Sequence, residues 1–268
     1  MKYIHILVIL FVCLNTTNGQ NTRVVDKKFR AQLDSVLMEG NLLYYYEKAT
    51  WVSYDQISRH PDLRNKFETY LTYQTGKSIK TIVLGNNWEK CMAEYTFTSD
   101  YDTPDVVRVE ERSLSNYEKK LIYIRERIIN QLTDEKYDMK APEGYNLNFT
   151  LIPFGKKYKM YVLTGTSQPN TIPFGNDYLF ITDNYGNIEK WRKFHTELIP
   201  VTVDQETQNL AEIIHNHPVS NPLISASDIC TFMLYGPLYA LERLSVYSEG
   251  RYMEYNMETN EIRVKVKR

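Results

Sequence analysis

The spacing of apolar residues near the start of the chain predicts helices. From Val25 onward, apolar positions recur at helical intervals up to Gly40, a residue type that commonly follows the last turn of a helix. We therefore predict one helix ending at Gly40 and a second, aromatic-rich helix from Leu42 to about Trp51. A third helix is predicted after His60-Pro61 and before Gly76. Its apolar positions are Leu63, Phe67, Tyr70 and Leu71.

A strand pattern follows, and then a longer helix. The segments 79–84 and 91–98 carry apolar residues in strand-like arrangements, and the Gly-Asn-Asn sequence between them favours a hairpin. Ser115 and Glu118 have the spacing of a capping box, in which each side chain bonds the other residue's backbone N–H. This box predicts a helix from Ser115 to about Leu132.

Beyond Gly144 the pattern becomes rich in strands. A helix is predicted from Ser225 to about Leu244, and a final hairpin from Leu244 to Val266. Together these elements predict an α+β fold, with an N-terminal helical region and small β element (20–112) followed by an α/β sandwich (113–268). The predicted strands of the second region are 147–154, 158–164, 178–183 and 188 to about 198, with a Gly-containing turn at 183–187.

Composition limits the classes of partner. The 268 residues are 43% hydrophobic and carry a net charge of −1, so the chain can bury one large core or two small ones. The near-neutral charge argues against a nucleic-acid partner or an anionic membrane surface. Once the N-terminal segment is set aside, two cysteines remain, Cys91 and Cys230. Their apolar surroundings predict separate buried thiols.

The N-terminus has the organisation of a secretory signal peptide. Lys2 precedes a short apolar run, Ile4 to Leu14, which is too short to cross a bilayer and is followed by small and polar residues. We predict cleavage near Gly19 and an exported protein, periplasmic or secreted, without a stable membrane span. Cys13 offers an alternative, a lipoprotein processing site, but Val12 stands where such sites usually have a small residue.

The strongest chemical signal is His215-Asn216-His217-Pro218, followed by Ser225 and Asp228. Side chains in a strand repeat every two residues, so both imidazoles can face one ion. Ser225 is predicted to be the N-cap of a helix, with Asp228 at its third position. Two imidazoles and a carboxylate suit zinc and leave a fourth position for water. The same Ser-x-x-Asp pattern is also an ordinary helix cap, so a purely structural role stays open.

This pattern resembles the JAMM motif of the JAB/MPN metalloprotease family, His-x-His-Pro, six residues, then Ser-x-x-Asp. The resemblance covers at most the C-terminal half of the chain. It implies a JAB/MPN-like sandwich in which His215, His217 and Asp228 hold zinc and Ser225 helps to hold the oxyanion. It further implies hydrolysis of an amide or isopeptide bond in a peptide or protein outside the cytoplasm.

The family also uses a glutamate as general base, and no glutamate lies between Gly144 and Ile188. The candidates for that base are Glu143, Glu197 and Glu206. If one of them approaches the metal, the chain is a peptidase or isopeptidase. If none does, it is a catalytically silent binding or scaffold module.

His195 lies close in sequence to the paired histidines. It could be an extra metal ligand, a donor that orients a ligand, or a proton shuttle. A partly buried histidine satisfied by backbone groups is an equally open alternative.

Overall fold

The computed structural model describes residues 26–85, 87–203 and 212–266, and within them the chain has a mixed α+β fold, as predicted. The predicted signal peptide, residues 1–19, and Cys13 lie outside the described residues and stay predictions. No helix in the described part of the chain is both long enough and apolar enough to cross a membrane.

The described residues form four α-helices, fifteen strands and two short 3-10 turns. The helices are α1 (Lys27–Ser58), α2 (Pro61–Lys66), α3 (Asn116–Gln131) and α4 (Ala226–Tyr235). The strands are β1 (Thr69–Thr75), β2 (Ser78–Gly85), β3 (Lys90–Phe97), β4 (Val106–Arg108), β5 (Arg112–Ser113), β6 (Tyr145–Phe154), β7 (Lys157–Thr166), β8 (Thr171–Gly175), β9 (Tyr178–Thr182), β10 (Ile188–Lys193), β11 (Leu198–Thr202), β12 (Glu212–Asn216), β13 (Arg243–Ser248), β14 (Arg251–Asn256) and β15 (Glu261–Val266).

The first helix is longer than predicted. α1 runs through Gly40 without a break and includes the residues predicted as a second helix, so the helix end predicted at Gly40 is wrong. Glycine is unfavourable within a helix by about 1 kcal/mol. Its presence is explained by the close approach of α1 to α4, because a Cβ at residue 40 would lie 2.8 Å from the Cβ of Ile229.

The third predicted helix is a helix in its first half and a strand in its second half. α2 ends at Lys66, whereas Tyr70 and Leu71 lie in β1, which pairs antiparallel with β2 across a turn at Gly76. The apolar residues of this segment match a helical spacing, but Thr and Tyr favour strands and the turn brings a partner strand alongside.

Several local predictions are confirmed. The Ser115 side chain accepts a hydrogen bond from the backbone N–H of Glu118, and the Glu118 carboxylate accepts one from the backbone N–H of Ser115. β2 pairs antiparallel with β3, and β9 pairs antiparallel with β10 on either side of the predicted turn. One strand was predicted to run to about Leu198. In the structure β10 ends at Lys193, and β11 begins at Leu198 as a separate strand that pairs with β8.

The C-terminal sheet has the order β12-β13-β14-β15. β12 and β13 are parallel, and α4 lies in the crossover that such neighbours require. α4 ends at Tyr235 and is followed by a 3-10 turn, so the helix predicted to reach Leu244 is shorter than expected. The predicted final hairpin is a three-stranded antiparallel unit, because β13, β14 and β15 pair in succession.

The other strands form three sheets. One has the order β1-β2-β3-β4, with β5 also paired to β3. The second has the order β10-β9-β7-β6, and the third consists of β8 and β11.

Buried side chains form two cores that meet across β2. Ile79 and Val83 belong to a core that also contains α1, α4 and the C-terminal sheet, whereas Ile82 and Leu84 belong to a second core with α3. Since α1 and α4 share one core, the N-terminal helix supports the helix that carries Asp228.

The two cysteines lie in different cores. Cys230 is buried beside α1 and Cys91 is buried on the side of α3. Both are free thiols, as predicted. Burial raises the pKa of the Cys91 thiol to about 11 and raises that of Cys230 well above its ordinary value. Both thiols are therefore protonated at neutral pH and lack the reactivity of a thiolate.

Candidate metal centre

Two histidines lie on the buried side of β12 and the residue that follows it. His215 and His217 are buried, whereas Ile214 and Asn216 are exposed, so the predicted alternation is confirmed. The backbone N–H of His217 donates to the carbonyl of Tyr247 over 2.9 Å, which continues the parallel pairing with β13. The two Nε2 atoms are 3.1 Å apart.

Asp228 both caps α4 and faces these histidines. Its Oδ2 accepts hydrogen bonds from the backbone N–H and the hydroxyl of Ser225, over 2.8 and 2.7 Å. The same atom is 3.1 Å from His217 Nε2, and Oδ1 is 3.2 Å from His215 Nε2. The capping role and the predicted place beside the histidines are thus both confirmed, in one side chain.

His195 is the third histidine of the cluster. It lies just after β10, and its Nε2 is 2.8 Å from His217 Nε2 and 3.4 Å from Asp228 Oδ1. Its Nδ1 is 2.7 Å from Asp177 Oδ1. A carboxylate on one ring nitrogen fixes the orientation of the imidazole and directs the other nitrogen at the cluster. The side chains of His195 and Asp228 are 2% and 1% exposed, so the cluster is closed to bulk water on that side.

Asp177 and Ser227 complete a closed ring of contacts around the cluster. The Ser227 hydroxyl donates to Asp177 Oδ2 and lies 2.8 Å from the Ser225 hydroxyl. Neither residue was predicted. The only local signal for Asp177 is a polar Asn-Asp pair directly after an apolar strand, and β8 and β9 place that pair inside the protein.

The cluster could hold a metal ion. His195, His215, His217 and Asp228 each offer one ligand atom, and these four atoms all lie within 4.8 Å of one another. Zinc bonds nitrogen and oxygen at about 2.0–2.1 Å, so neighbouring ligand atoms in a tetrahedron lie about 3.3 Å apart. Five separations within the cluster, 2.8–3.4 Å, are close to that value, with His195 and His215 facing Oδ1 of Asp228 and His217 facing Oδ2.

One of the two unsatisfied buried atoms of the cluster supports a bound cation. Asp228 Oδ1 and His215 Nδ1 have no aligned hydrogen-bond partner among the described residues. An unpaired buried carboxylate oxygen is unfavourable unless a cation or a donor faces it. An ion held among the Nε2 atoms would face Asp228 Oδ1.

The carboxylates and imidazoles of the cluster shift one another's pKa values. Burial by itself would lower the pKa of His195, but the carboxylates of Asp228 and Asp177 outweigh it and raise that pKa to about 9. Burial would also raise the pKa of Asp228, but the imidazoles of His195, His217 and His215 hold it well below its usual range. Since a histidine ligand must be neutral, binding of a metal ion here displaces a proton from the cluster.

The remaining predicted residues are placed as follows. Glu143 and Glu197 are exposed and do not belong to the group of four ligand residues. Glu206 lies outside the described residues. Ser225 is buried, and its one hydroxyl hydrogen is directed to Asp228 rather than outward. The roles predicted for these residues as bases and as oxyanion donor stay predictions.

Comparisons with family models, curated proteins and solved structures returned no match to this chain. The chemistry of the site therefore rests on the geometry described above.

Proposed function

We propose that this chain is an exported JAB/MPN-like zinc protein that acts as a binding module rather than as a peptidase. In this proposal His195, His215, His217 and Asp228 hold one zinc ion. Three imidazoles and a carboxylate suit zinc, and four protein ligands are typical of sites in which the metal supports structure. The match of His215, His217, Ser225 and Asp228 to the JAMM spacing supports the family, and the N-terminal apolar segment supports export.

The position of His195 is the observation that carries the proposal. A base acting on a metal-bound water contacts that water and stays outside the set of metal ligands. His195 Nε2 instead lies 2.8 Å from His217 Nε2 and 3.4 Å from Asp228 Oδ1, among the other candidate ligand atoms, and these separations are compatible with two ligands of one ion. In this proposal His195 therefore takes the fourth position, which a catalytic site keeps for water.

The hydrogen bonds around the four candidate ligands agree with a structural role for the metal ion. Asp177 fixes the His195 ring, Ser225 and Ser227 connect the two carboxylates, and the carbonyl of Asn221 lies 3.1 Å from His217 Nδ1. A bound zinc ion supplies a positive charge that draws these neutral imidazoles and the carboxylate together.

Zinc affinity of untagged full-length protein tests the proposal. Wild type should bind about one zinc per chain in competition with a chromogenic chelator. His195→Ala should lower the affinity more than about 100-fold, because it removes a ligand, whereas loss of a residue that only orients a ligand costs about 10–100-fold. His195→Cys, which restores a ligand type that zinc accepts, should bind more tightly than His195→Ala. His60→Ala is the matched control, since His60 is exposed at the start of α2.

A hydrolase would give a different result. If His195 acts as a base or shuttle, His195→Ala should keep its zinc and lose cleavage of a labelled peptide mixture. Cleavage by the wild type that is lost with Glu143→Gln, Glu197→Gln or Glu206→Gln, with zinc retained, would establish the peptidase alternative instead.

A further inference from the structure

A cleft lies directly beside the candidate metal centre. It has a volume of about 320 Å³ and is bounded by the first turns of α1, by the end of β10 and by the segment 220–226. Ser225 lines this cleft and also bonds Asp228, so the cleft and the metal centre share a wall. The apolar part of the lining is formed by Phe29, Val36, Tyr161, Phe194 and Leu223.

Two arginines face this cleft with their guanidinium groups on aromatic rings. The Cζ atom of Arg192 is 4.4 Å from the centre of the Phe194 ring, and that of Arg251 is 4.9 Å from the centre of the Phe29 ring. Within the described part of the chain neither arginine forms an ion pair. A guanidinium that rests on a ring is held in place while its N–H groups stay free to bind an oxyanion with two hydrogen bonds.

The carboxylates that line the cleft do not cancel this charge. Glu39 is already bound, because Lys159 Nζ lies 2.5 Å from its Oε1 and the Tyr161 hydroxyl donates to the same oxygen. Glu249 is exposed at the turn between β13 and β14 and makes no ion pair with a described residue. Two free arginines against one free glutamate leave the cleft with an excess of positive charge.

The segment 220–226, which forms one wall of the cleft, is connected by hydrogen bonds to the candidate metal centre. The backbone carbonyl of Asn221 faces His217 Nδ1, and the Asn221 side-chain amide donates to the carbonyls of Lys193 and Phe194, next to His195. The other end of the segment is Ser225, bound to Asp228. Two candidate zinc ligands, His217 and Asp228, and the backbone just before His195 therefore contact this wall.

We propose that the cleft binds an acidic peptide, with carboxylate side chains on Arg192 and Arg251 and an apolar side chain between them, and that bound zinc holds the cleft open for it. The part concerning zinc rests on the proposed function. The volume lies at the low end of the range for ligand pockets, so it suits a few side chains of an extended segment rather than a folded partner.

Fluorescence anisotropy with the zinc-loaded full chain tests the cleft. The probes are fluorescein-labelled tetrapeptides with two Glu and two Leu or Phe in every order, and the matched controls carry Gln in place of Glu. At least one acidic peptide should bind about tenfold or more tightly than its Gln counterpart. The double change Arg192→Gln and Arg251→Gln should lower that affinity at least about tenfold without changing the zinc content.

Arg64→Gln is the matched control, because Arg64 is exposed on α2, outside the lining of the cleft, and its loss should leave peptide affinity unchanged. Equal binding of the Glu and Gln peptides, or binding that the double change does not weaken, overturns the assignment of the cleft.

Removal of zinc tests whether the bound metal holds the cleft open for the peptide. Peptide affinity should fall in zinc-free protein that remains folded by circular dichroism, and equal affinity with and without zinc overturns the role of the metal in holding the wall. A wild type that binds no zinc contradicts the proposed function. The arginine variants would still decide whether the cleft binds acidic peptides.

Discussion

At the scale of single residues, Asp228 makes two kinds of contact that are usually divided between different side chains. Its Oδ2 satisfies the start of α4 through Ser225, and its Oδ1 points toward His215 and His195. Because the cap holds the carboxylate in place, binding of a metal ion by Asp228 would cost little side-chain entropy. Any change at Asp228 therefore affects helix and cluster together.

A second buried carboxylate, Glu118, should contribute to the dependence of stability on pH. Its Oε1 accepts from Arg112 over 2.7 Å and from the Tyr73 hydroxyl over 2.8 Å, and its Oε2 accepts from the backbone of Ser115. Burial by itself would raise the pKa of Glu118, but these hydrogen bonds outweigh it and lower the pKa from 4.5 to about 2.

Glu118→Gln should lower the free energy of unfolding at pH 7 by about 2 kcal/mol, because it removes charge-assisted hydrogen bonds from a buried group. A lowered pKa stabilises the folded state above the unfolded value of 4.5, and that stability is lost as the pH falls toward 2. The difference between wild type and Glu118→Gln should therefore shrink over that range. Urea unfolding at several pH values measures it.

Glu110→Gln serves as the control, since Glu110 is exposed. Stability curves for wild type and Glu118→Gln that stay parallel from pH 7 to pH 2 would show that Glu118 does not carry this dependence.

At the scale of elements, the contact between α1 and α4 decides how the metal centre is supported. At Gly40 a Cβ would lie 2.8 and 2.9 Å from the Cβ and Cγ2 atoms of Ile229, and 3.3 Å from the carbonyl oxygen of Ala226. Ala226 and Ile229 flank Asp228 on α4. A shift of α4 away from α1 would therefore move a candidate ligand.

Gly40→Ala should lower the free energy of unfolding by about 2 kcal/mol, since the cost of overpacking exceeds the gain of about 1 kcal/mol in helix propensity. Zinc affinity should fall with it if α4 moves. Ser35→Ala, on the exposed side of the same helix, isolates the propensity term and should be neutral or slightly stabilising. If Gly40→Ala is as stable as Ser35→Ala, the two helices are not in the tight contact described here.

At the scale of the whole molecule, the candidate ligands come from separate parts of the fold. His195 follows β10, His215 and His217 belong to β12 and its end, and Asp228 lies on α4. Zinc bound to all four residues would connect these elements, and ligand binding to the native state alone stabilises that state by mass action.

Removal of zinc by a chelator should therefore lower the melting temperature by about 10 °C. This corresponds to about 4 kcal/mol when free zinc is a thousand times its Kd, at about 3 °C per kcal/mol for a chain of this size. Thermal unfolding followed by circular dichroism, with zinc and with EDTA, measures the shift. His60→Ala should shift as the wild type does, whereas a wild type whose melting is unchanged by EDTA would show that no stabilising ion is bound.

Features whose physical cause lies within a few residues can be predicted from the amino-acid sequence. The two-residue repeat of β12 places His215 and His217 on one side, and the Ser225–Asp228 cap depends on groups three positions apart. The helix that starts after Ser115 follows from the same kind of local contact. A metal-type site at these residues could be predicted for that reason.

The other residues of the cluster, by contrast, are brought to these histidines by the folding of distant segments. Asp177 and His195 meet because β8, β9 and β10 place the two loops side by side, and no spacing in the sequence encodes that distance. The local sequence around Gly40 matches a helix end. The reason for a glycine at this position is its close contact with Ile229, a residue far away in the sequence. Local hydrogen bonds and side-chain periodicity can be read from neighbouring residues, whereas burial, close packing and the number of metal ligands depend on segments that only the folded chain brings together.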